Sequence, residues 1–266
     1  MTSLIPSELK LRESLQLLYS DPVLLERAIA GLRSLGLEQT QSLDASIESD
    51  VDLLRRDRCG FPEVVYGSGK SSDLIVEILR RQQRSVQDSL VTRVSPDQAE
   101  AVLRALPETR YNPLARTLRL QCGEVDERCS GKVFVVTAGS SDRPVAEEAV
   151  ETLQWMRVPC ELIQDVGVAG PHRLIQHIPR LRDAEVIVCV AGMEAALPSV
   201  LGGYVPCPVI GVPTSVGYGA SLGGLTAMFS MLTCCASNVV CVNIDAGFKG
   251  GYVAGMIASR RAGREH

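Results

Sequence analysis

Short apolar runs and helix-spaced patterns alternate through the second half of this chain. Runs at 133–137, 185–190, 209–212 and 239–244, with a more polar one at 161–164, predict strands. Between and after them, apolar positions at helical spacing predict helices over 144–156, 171–180, 193–202, 221–235 and 250–260. Uninterrupted apolar runs suit strands covered on both faces. Repeated strand–helix units predict an α/β fold, a doubly wound parallel sheet with Rossmann-like three-layer architecture. In the helix over 221–235, Leu222, Leu225, Ala227, Met228, Phe229, Met231 and Leu232 run around most of the circumference, which predicts burial, partly between subunits.

The first 122 residues are more charged and less regular. Asp21 is placed to cap a helix that starts at Pro22 and stops at Gly36. A strand over 63–66, a helix over 73–84, a strand over 89–94 and a helix over 96–106 predict a smaller α/β domain. The polar, glycine-flanked stretch 123–132 reads as a linker, giving domains at 1–122 and 133–260.

Composition narrows the partners. A chain of 266 residues can bury an ample core. A net charge of −4 argues against nucleic acid, whose phosphates are met by basic faces, and favours a small substrate. Nine cysteines, an odd number with no Cys-x-x-Cys pair, read as reduced thiols of an intracellular protein. The N-terminus lacks a signal-peptide core and no segment reaches membrane-spanning length, so a soluble cytoplasmic protein with no membrane partner is expected.

The chemistry-bearing residues fall at predicted strand-to-helix junctions, where ligands of open α/β sheets bind. After the first C-terminal strand come Gly139, Ser140, Ser141 and Asp142. Serine hydroxyls and free helix amides there can hold a phosphate, and a carboxylate can bind ribose hydroxyls, but serine and aspartate are also ordinary helix caps. Gly192, Met193 and Glu194 follow the third strand; the carboxylate fits either a base or a charge favouring the first helical turn. The loop from Gly211 to Gly224 includes Ser215, Gly217, Tyr218 and Gly219, but Leu222 stands where a dinucleotide fingerprint needs its third glycine. An anion- or substrate-binding loop is the preferred reading, with a tight packing turn as the other. His172 and Arg173 open a helix, where the arginine can fork onto phosphate. In the first half, Gly67 to Ser71 fails as a P-loop because Val64 occupies its first glycine position. Arg55, Arg58 and Lys70 remain as possible diphosphate contacts or as a solvated surface. Cys234 and Cys235 close the apolar helix, and periodicity does not choose between them.

Residues from about 55 to 255 resemble the LarB-type pyridinium-3,5-biscarboxylic acid mononucleotide synthases, whose C-terminal domain is similar to the PurE aminoimidazole ribonucleotide carboxylases. The resemblance rests on Arg58-Cys59-Gly60-Phe61-Pro62-Glu63-Val64-Val65-Tyr66-Gly67, Asp165-Val166-Gly167-Val168-Ala169-Gly170, Ala191-Gly192-Met193-Glu194, Pro213-Thr214-Ser215-Val216-Gly217-Tyr218-Gly219 and Asn243-Ile244-Asp245. It implies a PurE-like C-terminal domain that carboxylates the nicotinate ring of nicotinic acid adenine dinucleotide and hydrolyses its diphosphate to release AMP, as in nickel-pincer nucleotide biosynthesis. It implies Cys235, just before Ala236, as the thiol that adds to the ring, Glu194 as proton acceptor or orienting carboxylate, and Asp245 among the substrate-binding residues. Carbon dioxide or bicarbonate is the implied co-substrate, Mg²⁺ the expected ion although no dedicated ligand cluster is visible, and a homo-oligomer, an octamer, the expected assembly. In PurE enzymes the positions of Ser140, Asp142, His172 and Arg173 serve phosphate, ribose or acid–base roles. Their histidine before Leu-Pro is Ala196 here, and their proline at the helix end is Cys235. Cys234 stands where a non-thiol is expected, and Ala246 where an asparagine is. The alternatives are a PurE-like carboxylase or mutase and a noncatalytic nucleotide-binding protein of the same fold.

Overall fold

In the C-terminal sheet, alternate residues of each strand feed two different cores. A computed structural model describes residues 22–26, 51–122 and 131–262. Residues up to Gly60 and residues from Phe61 onward form two compact units. In the first, residues 22–26 are helical and α1 spans Arg55–Cys59. Asp21, the remainder of the helix predicted to Gly36 and most of the predicted linker lie outside the described residues.

The second unit carries both sheets. A mixed sheet holds β1 (Val65–Tyr66), β2 (Ser89–Thr92), β3 (Arg110–Asn112) and β4 (Thr117–Leu120) in the order β1-β2-β4-β3. Helix α2 (Ser72–Arg84) connects the parallel pair β1 and β2, and α3 (Pro96–Ala105) follows. Each helix begins on a serine: Ser71 Oγ accepts the Leu74 amide, and Ser95 with Gln98 closes a full capping box.

The parallel sheet holds β5 (Val133–Thr137), β6 (Cys160–Ile163), β7 (Val186–Ala191), β8 (Val209–Pro213) and β9 (Val239–Cys241), in the order β6-β5-β7-β8-β9. Every neighbouring pair is parallel. The doubly wound parallel sheet expected from the apolar runs is thus present. Val133, Val135, Val186, Val188 and Val190 pack with α4 (Arg143–Trp155) and α9 (Gly247–Ala262). Phe134, Val136, Ile187, Cys189 and Ala191 face the opposite core, which includes Leu174, Leu181, Leu197, Leu201, Ala227 and Met231. These come from α5 (Pro171–Ile175), α6 (Ile178–Leu181), α7 (Leu197–Gly202) and α8 (Leu225–Leu232). The two-residue period of a strand divides the side chains in this way.

Helix α9 lies close on α4. A β-carbon on Gly251 would come within 2.6 Å of the Ala149 carbonyl, one on Gly255 within 2.5 Å of Met156, and one on Gly247 would overlap the Val145 carbonyl. Spacing these glycines four apart puts them on one helical face and lets backbone meet backbone.

Helix α4 is also held from its other side. Glu148 and Glu151 are each 3% exposed. Arg119 on β4 donates its Nε to Glu151 at 3.1 Å and its Nη2 to Gln154 at 2.8 Å. Asn112 on β3 reaches Glu147 and Glu151, and Arg157 pairs with Asp88 at 2.8 Å. The mixed sheet therefore docks on α4 through ions withdrawn from water.

Several predicted boundaries are corrected. The helix predicted over 221–235 is a 3-10 turn, Gly219–Gly224, followed by α8 alone. Leu222 and Gly223 enter the left-handed region, and Gly224, at φ 98°, has no room for a side chain beside Ile244 and the Thr214 carbonyl. Its predicted burial is partial in the single chain: Ala227 and Met231 are buried, while Leu222, Phe229 and Leu232 are more than half exposed. The helix predicted from Met193 starts at Leu197, because Met193 and Ala195 take positive φ, 52° and 49°. The helix predicted over 171–180 is two short ones, and β9 stops at Cys241. Strands β3 and β4 were not predicted.

Breaking the Arg119–Glu151 pair strands a carboxylate in the interior, which costs about 3–5 kcal/mol for buried pairs. Arg119→Ala should lower urea-denaturation stability by that order, whereas Arg104→Ala, which removes an exposed i,i+4 pair with Glu100, should cost less than about 1 kcal/mol. Equal losses in the two variants would contradict the buried ionic seam.

Candidate active site

The loops after β5, β7, β8 and β9 meet at one rim of the parallel sheet and are stitched to each other by hydrogen bonds. Asp142 is the central acceptor, 3% exposed. Its Oδ2 accepts the Gly139 amide at 2.9 Å, and its Oδ1 accepts the Thr214 hydroxyl at 2.7 Å. The Gly192 amide donates to the same carboxylate. Burial pushes the Asp142 carboxyl above the usual aspartate range, and these donors, Thr214 first, pull against it. Both carboxylate oxygens are therefore occupied in bracing the rim, unlike the ribose contact expected of Asp142.

Gly192 passes so close to the β8 loop that a β-carbon would fall 2.5 Å from both Thr214 Oγ1 and the Val216 carbonyl. The Met193 amide donates to the Val216 carbonyl at 2.9 Å. Met193 and Ala195 flank Glu194 in left-handed conformations, each costing about 1–3 kcal/mol in a non-glycine residue. This double turn presents Glu194 to solvent. Ser140 and Ser141 are exposed on the neighbouring loop, as are Ser215, Gly217, Gly219 and Tyr218, the last at 84%. The fourth loop closes the rim: Asp245 Oδ1 accepts the Ser215 amide at 2.8 Å, and the Asp245 amide donates to the Pro213 carbonyl at 2.8 Å.

His172 and Arg173 begin α5, with His172 exposed. The Arg173 guanidinium is taken by Asp165 at 2.6 Å, so a phosphate would have to share or displace that partner. Lys70 lies in a turn pinned by Gln98, whose amide nitrogen donates to the Gly67 and Lys70 carbonyls. Arg58 and Arg55 sit on α1 of the first unit, where Arg58 forms a fork with Asp52. Thr214, fully buried and central to the rim, escaped the sequence reading although it sits inside the Pro213-Thr214-Ser215 motif. Arg93 escaped it too.

Cys235 is not brought to this rim within one chain. It precedes β9, which runs parallel to β8 and so starts at the opposite edge. Asn238 anchors that segment to the Val205 and Cys207 carbonyls, at the start of β8. Five-residue β8 separates the two edges by about 16 Å. Cys235 and Cys59 are the exposed thiols among the described residues. Burial pushes Cys160 and Cys207 up to about 11 and raises Cys189 and Cys241 as well, so those thiols stay protonated near neutral pH.

Comparison with known proteins then decides the family. Residues 44–122 match the LarB/PurE-like N-terminal domain, and residues 132–265 match AIR carboxylase. The chain belongs to the AIR carboxylase family, in its LarB-type branch. The uncharacterized protein MJ0165 of Methanocaldococcus jannaschii is 40% identical over 78% of this chain and 83% of its own length. The N5-carboxyaminoimidazole ribonucleotide mutase of Mycobacterium tuberculosis is 32% identical over 50% of this chain and 74% of its own. A probable enzyme of the same name from Methanothermobacter thermautotrophicus is 32% identical over 37% of this chain, which spans 29% of that protein. Among solved structures, Treponema denticola PurE aligns with a TM-score of 0.40 at 19% identity, over 48% of this chain and 80% of that one.

Among the described residues no group of three or more His, Cys, Asp or Glu side chains is arranged to hold a metal ion, and no helix is long and apolar enough to cross a membrane.

The raised Asp142 carboxyl has a pH consequence. The folded chain holds this proton to higher pH than the unfolded chain does, so stability falls as pH rises from the ordinary aspartate value of 3.8 through the raised folded value. Burial raises Glu148 likewise, adding to the same slope. Denaturation midpoints measured across the acidic range should show a shallower decline in Asp142→Asn than in the wild type. An unchanged slope would contradict the burial of this carboxylate.

Proposed function

We propose that this protein carboxylates the nicotinate ring of nicotinic acid adenine dinucleotide and hydrolyses its diphosphate, giving pyridinium-3,5-biscarboxylic acid mononucleotide and AMP. The observation that carries the reading is an exposed thiol, Cys235, in a LarB-type chain whose thiols buried in the two cores are held protonated. A pyridinium ring is too electron-poor for its C5 to attack carbon dioxide. Addition of the Cys235 thiolate to the ring gives an enamine-like dihydropyridine. Its C5 forms the bond to carbon dioxide, the C5 proton passes to a base, for which we propose Glu194, and expulsion of the thiolate restores the aromatic ring. Water attacks the diphosphate, and AMP leaves. Ser140, Ser141 and Ser215 offer hydroxyls to the nucleotide phosphate beside the Gly139 turn, whose amide is held by Asp142, Gly217, Tyr218 and Gly219 cover the bound substrate, and Arg173 exchanges Asp165 for a phosphate. A divalent ion in this reaction would travel on the substrate's diphosphate.

Glu194 and Cys235 occupy opposite edges of one sheet, so the reading requires a second copy of the chain to bring a thiol to the rim. The outward stripe of Leu222, Leu225, Phe229 and Leu232 supports a homo-oligomer, for which we propose the octamer of the resemblance. The second reading, a PurE-like carboxylase or mutase, is favoured by the similarity to N5-carboxyaminoimidazole ribonucleotide mutases, while Ala196, where the resemblance to PurE enzymes implies a histidine, disfavours it.

Purified protein incubated with nicotinic acid adenine dinucleotide, Mg²⁺ and labelled bicarbonate should yield a labelled dicarboxylated mononucleotide and AMP, detected by mass spectrometry. Cys235→Ala should reduce incorporation to background while Cys234→Ala retains it. Turnover of N5-carboxyaminoimidazole ribonucleotide with none of the dinucleotide would establish the second reading, and binding of the dinucleotide without consumption a noncatalytic one.

A further inference from the structure

Arg93 ties the rim to the N-terminal domain. This residue follows β2 and stands in a left-handed conformation, φ 57°, which is costly for an arginine and marks a side chain directed by its contacts. Its Nε lies 3.2 Å from Glu148 Oε1, and its Nη2 reaches Glu148 Oε2 at 3.4 Å. The same Nη2 also donates to the Asp245 carbonyl oxygen. Glu148 in turn accepts the Phe248 amide at 3.1 Å and the Gly247 amide, the first donors of α9. One guanidinium thus neutralises the carboxylate that caps α9 and holds the turn leading into that helix. The side chain of the held residue, Asp245, fixes the Ser215 amide on the rim. The turn carrying Lys70 is bonded to the adjoining segment, since the Gly67 amide donates to the Thr92 carbonyl at 2.8 Å.

We infer that Arg93 is a positioning residue: from the N-terminal domain it sets the Asp245 turn and, through the Ser215 amide that this turn holds, the loop that presents the Ser215 hydroxyl to the nucleotide. The catalytic arm of this inference rests on the nucleotide reading above; the structural arm does not. Arg93 acts without touching substrate, which distinguishes it from a binding residue. Arg119 belongs to the same ionic seam and, among the described residues, hydrogen-bonds through its guanidinium to Glu151 and Gln154 and not to the Asp245 turn, so it is the control for lost docking without lost positioning.

The test compares Arg93→Ala, Arg93→Lys and Arg119→Ala in the full-length protein, with Arg93→Ala/Glu148→Gln as a variant that leaves no unpaired buried carboxylate. Amide hydrogen exchange of the unliganded protein should accelerate at Ser215 and over 246–248 in both Arg93→Ala variants and stay at the wild-type rate there in Arg119→Ala. With whichever nucleotide the wild type turns over, nicotinic acid adenine dinucleotide or N5-carboxyaminoimidazole ribonucleotide, KM should rise by about tenfold or more, the size of a lost charge-assisted hydrogen bond, with kcat much less affected. Arg93→Lys, which keeps the charge but not the fork, should recover stability more fully than KM. Unchanged exchange at Ser215 would overturn the inference whatever the substrate. Faster exchange there with an unaltered KM, or an equal KM change in Arg119→Ala, would reduce Arg93 to a stability role and overturn it as well.

Discussion

Helix α4 has no face to spare. One side packs on the parallel sheet, another lies against α9 with backbone touching backbone, and the acidic side carries Glu148 and Glu151 out of water toward arginines of the other domain. Removing two carboxylates from water is costly, and only the opposing guanidiniums and amide donors offset it. The arrangement demands register: a rotation of the helix by one residue would bury an unpaired charge. Both sheets refer their positions to this helix, and the rim at the ends of β5, β8 and β9 inherits that reference.

The rim follows a common logic. Buried polar groups are spent on each other, as Asp142 is on Gly139, Gly192 and Thr214, while the exposed groups that remain, three serine hydroxyls, Glu194 and the Tyr218 ring, are presented on turns braced by those bonds. Such preorganisation suits recognition of a nucleotide, because little ordering is left for the moment of binding. Within one chain the thiol proposed to attack the substrate stands at the opposite edge from the groups proposed to hold it.

The parallel sheet was legible because burial on both faces leaves runs such as Val186 to Val190 without a polar interruption. Strands β3 and β4 were not, since Asn112, Pro113, Arg116 and Arg119 break any two-residue pattern. Arg119 is tolerated in a strand only because its partner Glu151 arrives from a helix far along the chain, a pairing no local pattern encodes. The left-handed turns at Met193, Ala195 and Leu222 were hidden for a related reason: their cost is met by tertiary contacts, and the sequence there still reads as helix. Glycines and serines at the junctions announced the rim, yet Thr214 and Arg93 matter through what they touch, and that is visible only once the loops are assembled.

The glycine face of α9 has a mechanical meaning. Contacts made through side chains can yield by changing rotamer; the contacts of Gly247 and Gly251 with the α4 backbone have no such slack. The two helices consequently form a rigid strut, and the turn at Asp245, which leads directly into it, is mounted on that strut. A ligand arriving at the rim would then meet a fixed post at Asp245 rather than a turn that shifts to receive it.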